Sequence, residues 1–245
     1  MIKFFRKIRQ NLLMENKTGK YFKYAIGEII LVVIGILIAL QINNWNENRK
    51  LQNEELSLLK ELNTNLEITL ENFEDDIAYN VETVSFYNRI NHYVEKDLPY
   101  HKELDSAFAA LTFWSTPYPT STAYKSLQNK GLDIIKNKTL KNNIIDFYDV
   151  KMAVLKIDLD QSEWVLNQNV TNPFFSKHIR RQYHISLNSA RPNNFEALKQ
   201  NDVFLNILSM LIRQRMKGLE YYREVILAIE DLIEEIDMEI KSRTH

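Results

Sequence analysis

The chain has 245 residues, with 31 Lys and Arg against 32 Asp and Glu, and no cysteine. The lack of cysteine excludes disulfides, thiolate metal centres and thiol catalysis, and five Gly and five Pro in the whole chain leave few helix breakers. The overall net charge is −1, but residues 1–23 hold seven Lys/Arg against Glu15, so the remainder is net negative and a poor surface for nucleic acid.

Residues 1–23 interleave Ile2, Phe4, Phe5, Ile8, Leu12 and Leu13 with Lys3, Arg6, Lys7 and Arg9. This pattern predicts a short basic amphipathic helix on the cytoplasmic leaflet, where each Lys or Arg near anionic lipid is worth about 1 kcal/mol. A plain topology signal is the alternative.

Residues 25–42, AIGEIILVVIGILIALQI, are apolar except for Glu28 and Gln41. Eighteen helical residues rise about 27 Å, close to the thickness of a bilayer's hydrocarbon core. Tyr21, Tyr24 and Trp45 flank the run, where amphipathic rings favour the interface. The basic flank predicts a cytoplasmic N-terminus and an exported remainder. A cleaved signal peptide needs a small-x-small site, but Leu37 precedes Ala39 by two positions. The expectation is therefore an uncleaved signal anchor with three parts: a basic segment over 1–23, a transmembrane helix over 24–45 and a periplasmic helical domain over 46–245.

Beyond Trp45 the pattern stays helical. Leu59, Leu62, Leu66, Leu70, Phe73, Ile77, Val81 and Val84 form an apolar stripe with an eleven-residue period. One helix is expected from the membrane to Lys96, broken by Asp97-Leu98-Pro99. A short helix follows over about 103–113. Residues 112–124, TFWSTPYPTSTAY, read as a loop, with Thr120 or Ser121 as N-cap of the next helix. Asn129-Lys130-Gly131 is a helix C-terminal signal. Asn137 should cap a helix to about Asn169, burying Ile144, Tyr148, Leu155 and Leu159. Residues 164–195 contain no acid but hold Lys177, Arg180, Arg181 and Arg191, and read as irregular from Asn172-Pro173 onward. The last helix should span about Asp202–Lys241, with a heptad seam through Tyr222, Ile226, Ile229, Ile233, Ile236 and Ile240. The fold class expected is all-α: one N-terminal transmembrane helix continuing as a stalk into a periplasmic antiparallel helical bundle. No period-two strand pattern competes.

MIKFFRKIRQNLL followed by YAIGEIILVVIGILIALQINNWNE resembles the opening of a family of uncharacterised single-span membrane proteins found in flavobacteria and their relatives. TAYKSLQNKGLDIIKNKTLKNNIIDFYD resembles a later part of the same family. The resemblance implies a Gram-negative inner membrane and a periplasmic domain. It brings no catalytic residues.

Candidate sites are few. Glu28 within an apolar span is costly and hence a functional candidate. With Gln41 and the small pair Gly35 and Ala39 it suggests helix–helix assembly; snorkelling of Glu28 to the interface is the plainer alternative. Trp114 and Tyr118 in the 112–124 loop, together with Arg180 and Arg181, are candidates for contact at the membrane-distal end. The plainer expectation is that the aromatics plug the bundle and the arginines pair with Glu103 or Asp105. The five histidines show no metal-ligand spacing, and no phosphate loop, GxSxG or SxxK occurs. No catalytic residue, cofactor or metal is expected. The functional expectation is a non-enzymatic inner-membrane structural or interaction protein, with the lipid bilayer, a second copy of itself and other cell-envelope proteins as partners, and no nucleic acid. A sensory or ligand-binding accessory is the alternative, and an oligomeric channel a third.

Overall fold

The computed structural model describes residues 18–244. The candidate membrane-surface residues Lys3, Arg6, Lys7 and Arg9 lie outside the described residues. The chain divides into two compact units, Met1–Glu55 and Leu56–His245. Helix α1, Thr18–Glu95, contributes to both.

In the first unit the described residues are helical throughout. The apolar run is long and apolar enough to cross a membrane. Its large side chains from Ile29 to Ile42 are all exposed, the least of them, Ile34, at 45%. In water such exposure forfeits the free energy that normally drives apolar burial, about 25 cal/mol per Å².

The second unit is helical apart from a two-stranded hairpin. After α1 come a 3₁₀ turn at Lys102–Leu104, α2 at Asp105–Ala110, α3 at Thr122–Lys130 and a second 3₁₀ turn at Leu132–Ile134. Helix α4, Lys138–Asp146, opens a helical run that includes α5, Ser162–Leu166, and α6, Asn172–His178. Strands β1, Ile179–Arg181, and β2, Ala190–Pro192, pair antiparallel with Arg180 opposite Arg191. Helix α7, Phe195–Lys199, leads to the long α8, Asp202–Thr244. The hairpin and α6 replace the irregular stretch expected from Asn172. Pro173 does not end the helix: it follows directly on the π segment at 167–171, where the α hydrogen-bond ladder is already interrupted.

The seam that α1 buries differs from the stripe expected. Leu59, Leu62, Leu66, Thr69, Phe73, Asn80, Thr83, Tyr87 and Ile90 are buried, with half-buried Asp76 in the same series. These positions alternate by three and four, a heptad, whereas Val81 is exposed and Leu70 and Ile77 only flank the core. Thr69, Asn80 and Thr83 tolerate burial because each side chain donates to the carbonyl one turn back, on Asn65, Asp76 and Tyr79 respectively. Helix α8 carries the matching heptad through Phe204, Leu208, Leu211, Arg215, Tyr222, Val225, Ile229, Leu232 and Ile236. Contacts between the two helices descend along α8 as they ascend along α1: Asn63 bonds Asp237 and Asp76 bonds Tyr222.

The run from α4 to α6 is not a plain α-helix. Three π segments, at 147–151, 154–161 and 167–171, interrupt it. Its buried residues Leu155, Leu159, Glu163, Asn167, Thr171 and Phe175 recur every four residues. A straight α-helix would rotate such a set by about 40° per turn away from the core. The wider i→i+5 turns restore the phase and keep all six inward.

End signals behaved largely as read. Asn137 accepts from the amides of Thr139 and Leu140, and Gly131 closes α3 at φ 99°. Ser121 occupies the N-cap of α3, but its side chain makes no capping bond. Asn65 of α1 supplies that acceptor instead, taking bonds from the Ala123 amide and the Thr122 hydroxyl.

Candidate functional site

The core of the second unit falls into two apolar clusters. One gathers Leu59, Leu62, Leu66, Phe73, Leu140, Ile144, Leu155, Tyr222, Ile229 and Ile236. The other gathers Tyr87, Ile90, Leu104, Phe108, Phe195, Phe204 and Leu211. Between them the α1 seam is polar, with Asp76, Asn80 and Thr83, while α8 contributes Arg215 together with buried Gly218 and Leu219.

At the centre of this layer Arg215 donates to Glu163 at 2.5 Å, with both side chains under 5% exposed. A second guanidinium nitrogen of Arg215 donates to the carbonyl of Phe113 at 2.8 Å. The pair thus ties α8 and α5 to the loop that follows α2. Burial pushes the Glu163 carboxyl up, opposed by the charge of Arg215. Asn167 adds a buried bond to the Thr112 carbonyl. The Thr112 carbonyl would otherwise be left dry, at a cost of about 1–3 kcal/mol.

Asp76 lies at the edge of the layer. Its carboxylate accepts from the hydroxyls of Ser115 and Tyr222. Desolvation holds it above the usual carboxylate range, against the lowering effect of those two bonds. A carboxyl raised on folding binds its proton more tightly in the native state. Its contribution to stability is therefore greatest in acid and declines as pH rises past its ordinary value of 3.8. Asp76, Tyr79, Phe113, Trp114, Ser115, Thr116, Tyr118 and Asn188 line an open cleft of about 560 Å³.

The expected distal residues have separate fates. Trp114 is fixed: its indole donates to Asp160 at 2.9 Å and its ring meets Trp164 edge-on. Tyr118 is 76% exposed. Arg181 lies over the rings of Phe113 and Phe175, at 4.5 and 4.9 Å, and donates to Ala109 and Thr112. Arg180 is exposed. Neither arginine takes Glu103 or Asp105. Asp105 is held by Arg191 at 3.1 Å, and Glu103 accepts from the Tyr93 hydroxyl. Strand β2 packs against α2, the helix that begins at Asp105, which brings Arg191 to that acid. Burial pushes Asp105 up, yet bonds from Arg191, Tyr100 and Ser189 hold it below the ordinary range.

In the first unit, Glu28 is partly exposed and Ala39 and Gln41 are exposed. A side chain added at Gly35 would meet nothing within 4 Å. Among the described residues no group of three His, Asp or Glu side chains is placed to hold a metal.

These features define a predominantly helical protein with one apolar helix near its N-terminus. It belongs to the family of unknown function DUF6090, whose model matches residues 28–157. The matched region begins at Glu28 and includes Gly35, Ala39, Gln41, Trp114 and Tyr118, and it ends before the hairpin and α8. Neither curated proteins nor solved structures provide a match to the chain.

Sequence reasoning missed Glu163, Arg215 and Asp76. A signal for them existed: each lies in register with the apolar residues of its own helix, Asp76 three after Phe73 and Arg215 four after Leu211. Counting apolar residues alone skips such positions.

Proposed function

We propose that the chain is a non-enzymatic single-span protein of the inner membrane, with its N-terminus in the cytoplasm and a helical module in the periplasm. The observation that carries this reading is the run of exposed apolar side chains from Ile29 to Leu40, beside a segment of net charge +6. The opposed order of the α1 and α8 contacts supports an antiparallel bundle as that module. A buried polar layer built on the Arg215–Glu163 pair suits a scaffold whose register must be unique.

The same reading makes the span self-associate. Gly35 and Ala39 would let two helices approach closely, and Glu28 and Gln41 would bond across them. In mild detergent, cross-linking should give one defined oligomer. Gly35→Leu should reduce it by about tenfold, in line with the roughly 1–2 kcal/mol of a tight helix contact. A sharp monomer mass for the unaltered chain contradicts assembly.

A sensory accessory is a second reading, favoured by the three π segments, which recur at functional positions in helices. Specific thermal stabilisation by a small periplasmic solute would favour it over a purely structural role.

A further inference from the structure

Strands β1 and β2 are joined by a tight loop. The Gln182 amide donates to the Ser189 carbonyl at 2.8 Å, the amides of Ile185 and Ser186 return to the Gln182 carbonyl, and the Asn188 amide bonds the Ser186 hydroxyl. The base is fixed further by Ser189, which bonds Gln182 and Asp105. On this rigid frame three large apolar side chains face solvent at alternate positions: Tyr183 at 64%, Ile185 at 58% and Leu187 at 73% exposure. Nothing in the second unit covers them. A soluble surface has no use for such a protrusion, which costs hydration free energy and invites association.

The charge along the hairpin segment itself is positive. Residues 164–195 contain no acid. Asp105, which packs beneath, is neutralised by Arg191. Arg181 is drawn in between two rings, which leaves Arg180 exposed on β1 and His184 exposed in the loop, with Lys177 exposed at the base of the hairpin. The cleft next to Asn188 adds Phe113 and Tyr118, both exposed. The acids bordering that cleft and its neighbouring groove are Asp76, already bonded twice, and Glu82.

We propose that the hairpin tip, residues 183–188, inserts into an anionic lipid surface. Exposed Tyr, Ile and Leu on a rigid loop with cationic flanks match the boundary between headgroups and acyl chains, where rings and aliphatic side chains enter and Lys or Arg meets phosphate. An acidic protein would also attract the cations but would not require three projecting apolar side chains. A second lipid contact would make the protein a tether, since its apolar helix is read as held in another part of a bilayer. That step rests on the proposed anchor, and the test scores the two separately.

The full chain is reconstituted in phosphatidylcholine vesicles, and flotation reports whether it is retained. A second, dye-loaded vesicle population, either pure phosphatidylcholine or one-third phosphatidylglycerol, is then added and its capture measured. The anionic vesicles should be captured and the neutral ones not. Combined Tyr183→Ser, Ile185→Ser and Leu187→Ser should reduce capture by about tenfold, and Arg180→Gln by about fivefold. These side chains are exposed, so the helical circular dichroism of the variants should not change. Because the chain lacks cysteine, Leu187→Cys accepts a single environment-sensitive dye. Its emission should shift to the blue only with anionic vesicles, while the same dye at Asn142→Cys stays unchanged. Retention without capture, equal capture by the triple-serine variant, or a blue shift without second vesicles would each overturn the lipid assignment. Loss of retention on flotation would instead count against the anchor.

Discussion

Arg215 and Glu163 illustrate how a charged pair can sit inside a helical core. Each ion pays several kcal/mol of desolvation, which the mutual bond and the Phe113 carbonyl offset. Removing one partner leaves the other charge dry. Arg215→Ala should therefore destabilise the fold by about 3–5 kcal/mol in denaturant unfolding. Arg215→Met combined with Glu163→Leu should recover much of that loss, because no buried charge then remains. Equal losses in the single and double variants would contradict this view. The residue types themselves were plain in the sequence, but their pairing was not. Glu163 and Arg215 are 52 positions apart, and charge spacing within one helix carries no sign of a partner on another. The same limit led Arg180 and Arg181 to be matched with Glu103 or Asp105, when the packing of β2 on α2 gives Asp105 to Arg191.

At the scale of elements, the existence and order of the long helices were legible, whereas the β1–β2 hairpin and the packing phase were not. The long α1 and α8, the breaks near Asp97 and Gly131 and the cap at Asn137 follow from local chemistry and are present. The buried face of α1 was misread because Leu70 and Ile77 are apolar but flank the core, while Thr69, Asn80 and Thr83 are polar but fill it. The π segments were illegible for a related reason. Their signal is a four-residue spacing in which Glu163, Asn167 and Thr171 do not count as apolar. The cap of α3 shows how a tertiary contact can replace a local one. Ser121 stands at the N-cap, yet Asn65 does the bonding. Asn65→Ala should cost about 1 kcal/mol and speed hydrogen exchange at the first amides of α3. Ser121→Ala should leave both within error, and the reverse ranking would refute the assignment.

For the whole molecule, physical chemistry assigns opposite tasks to the two units. The second buries two apolar clusters about a polar layer and is stabilised by its own packing. The first exposes the side chains of an apolar helix long enough to cross a membrane, and that helix is proposed to lie in lipid. This contrast is present in the sequence as composition alone, which is why the apolar helix was the most readable feature and the polar layer the least. The measurement that tests the account most directly is protease accessibility in sealed spheroplasts, read with tags at both ends. The account predicts that external protease removes the C-terminal tag and the helical module, while the N-terminal tag survives with the apolar helix in the membrane fraction. A protected C-terminal tag, or mature chain recovered free of lipid with residues 1–42 removed, would contradict it.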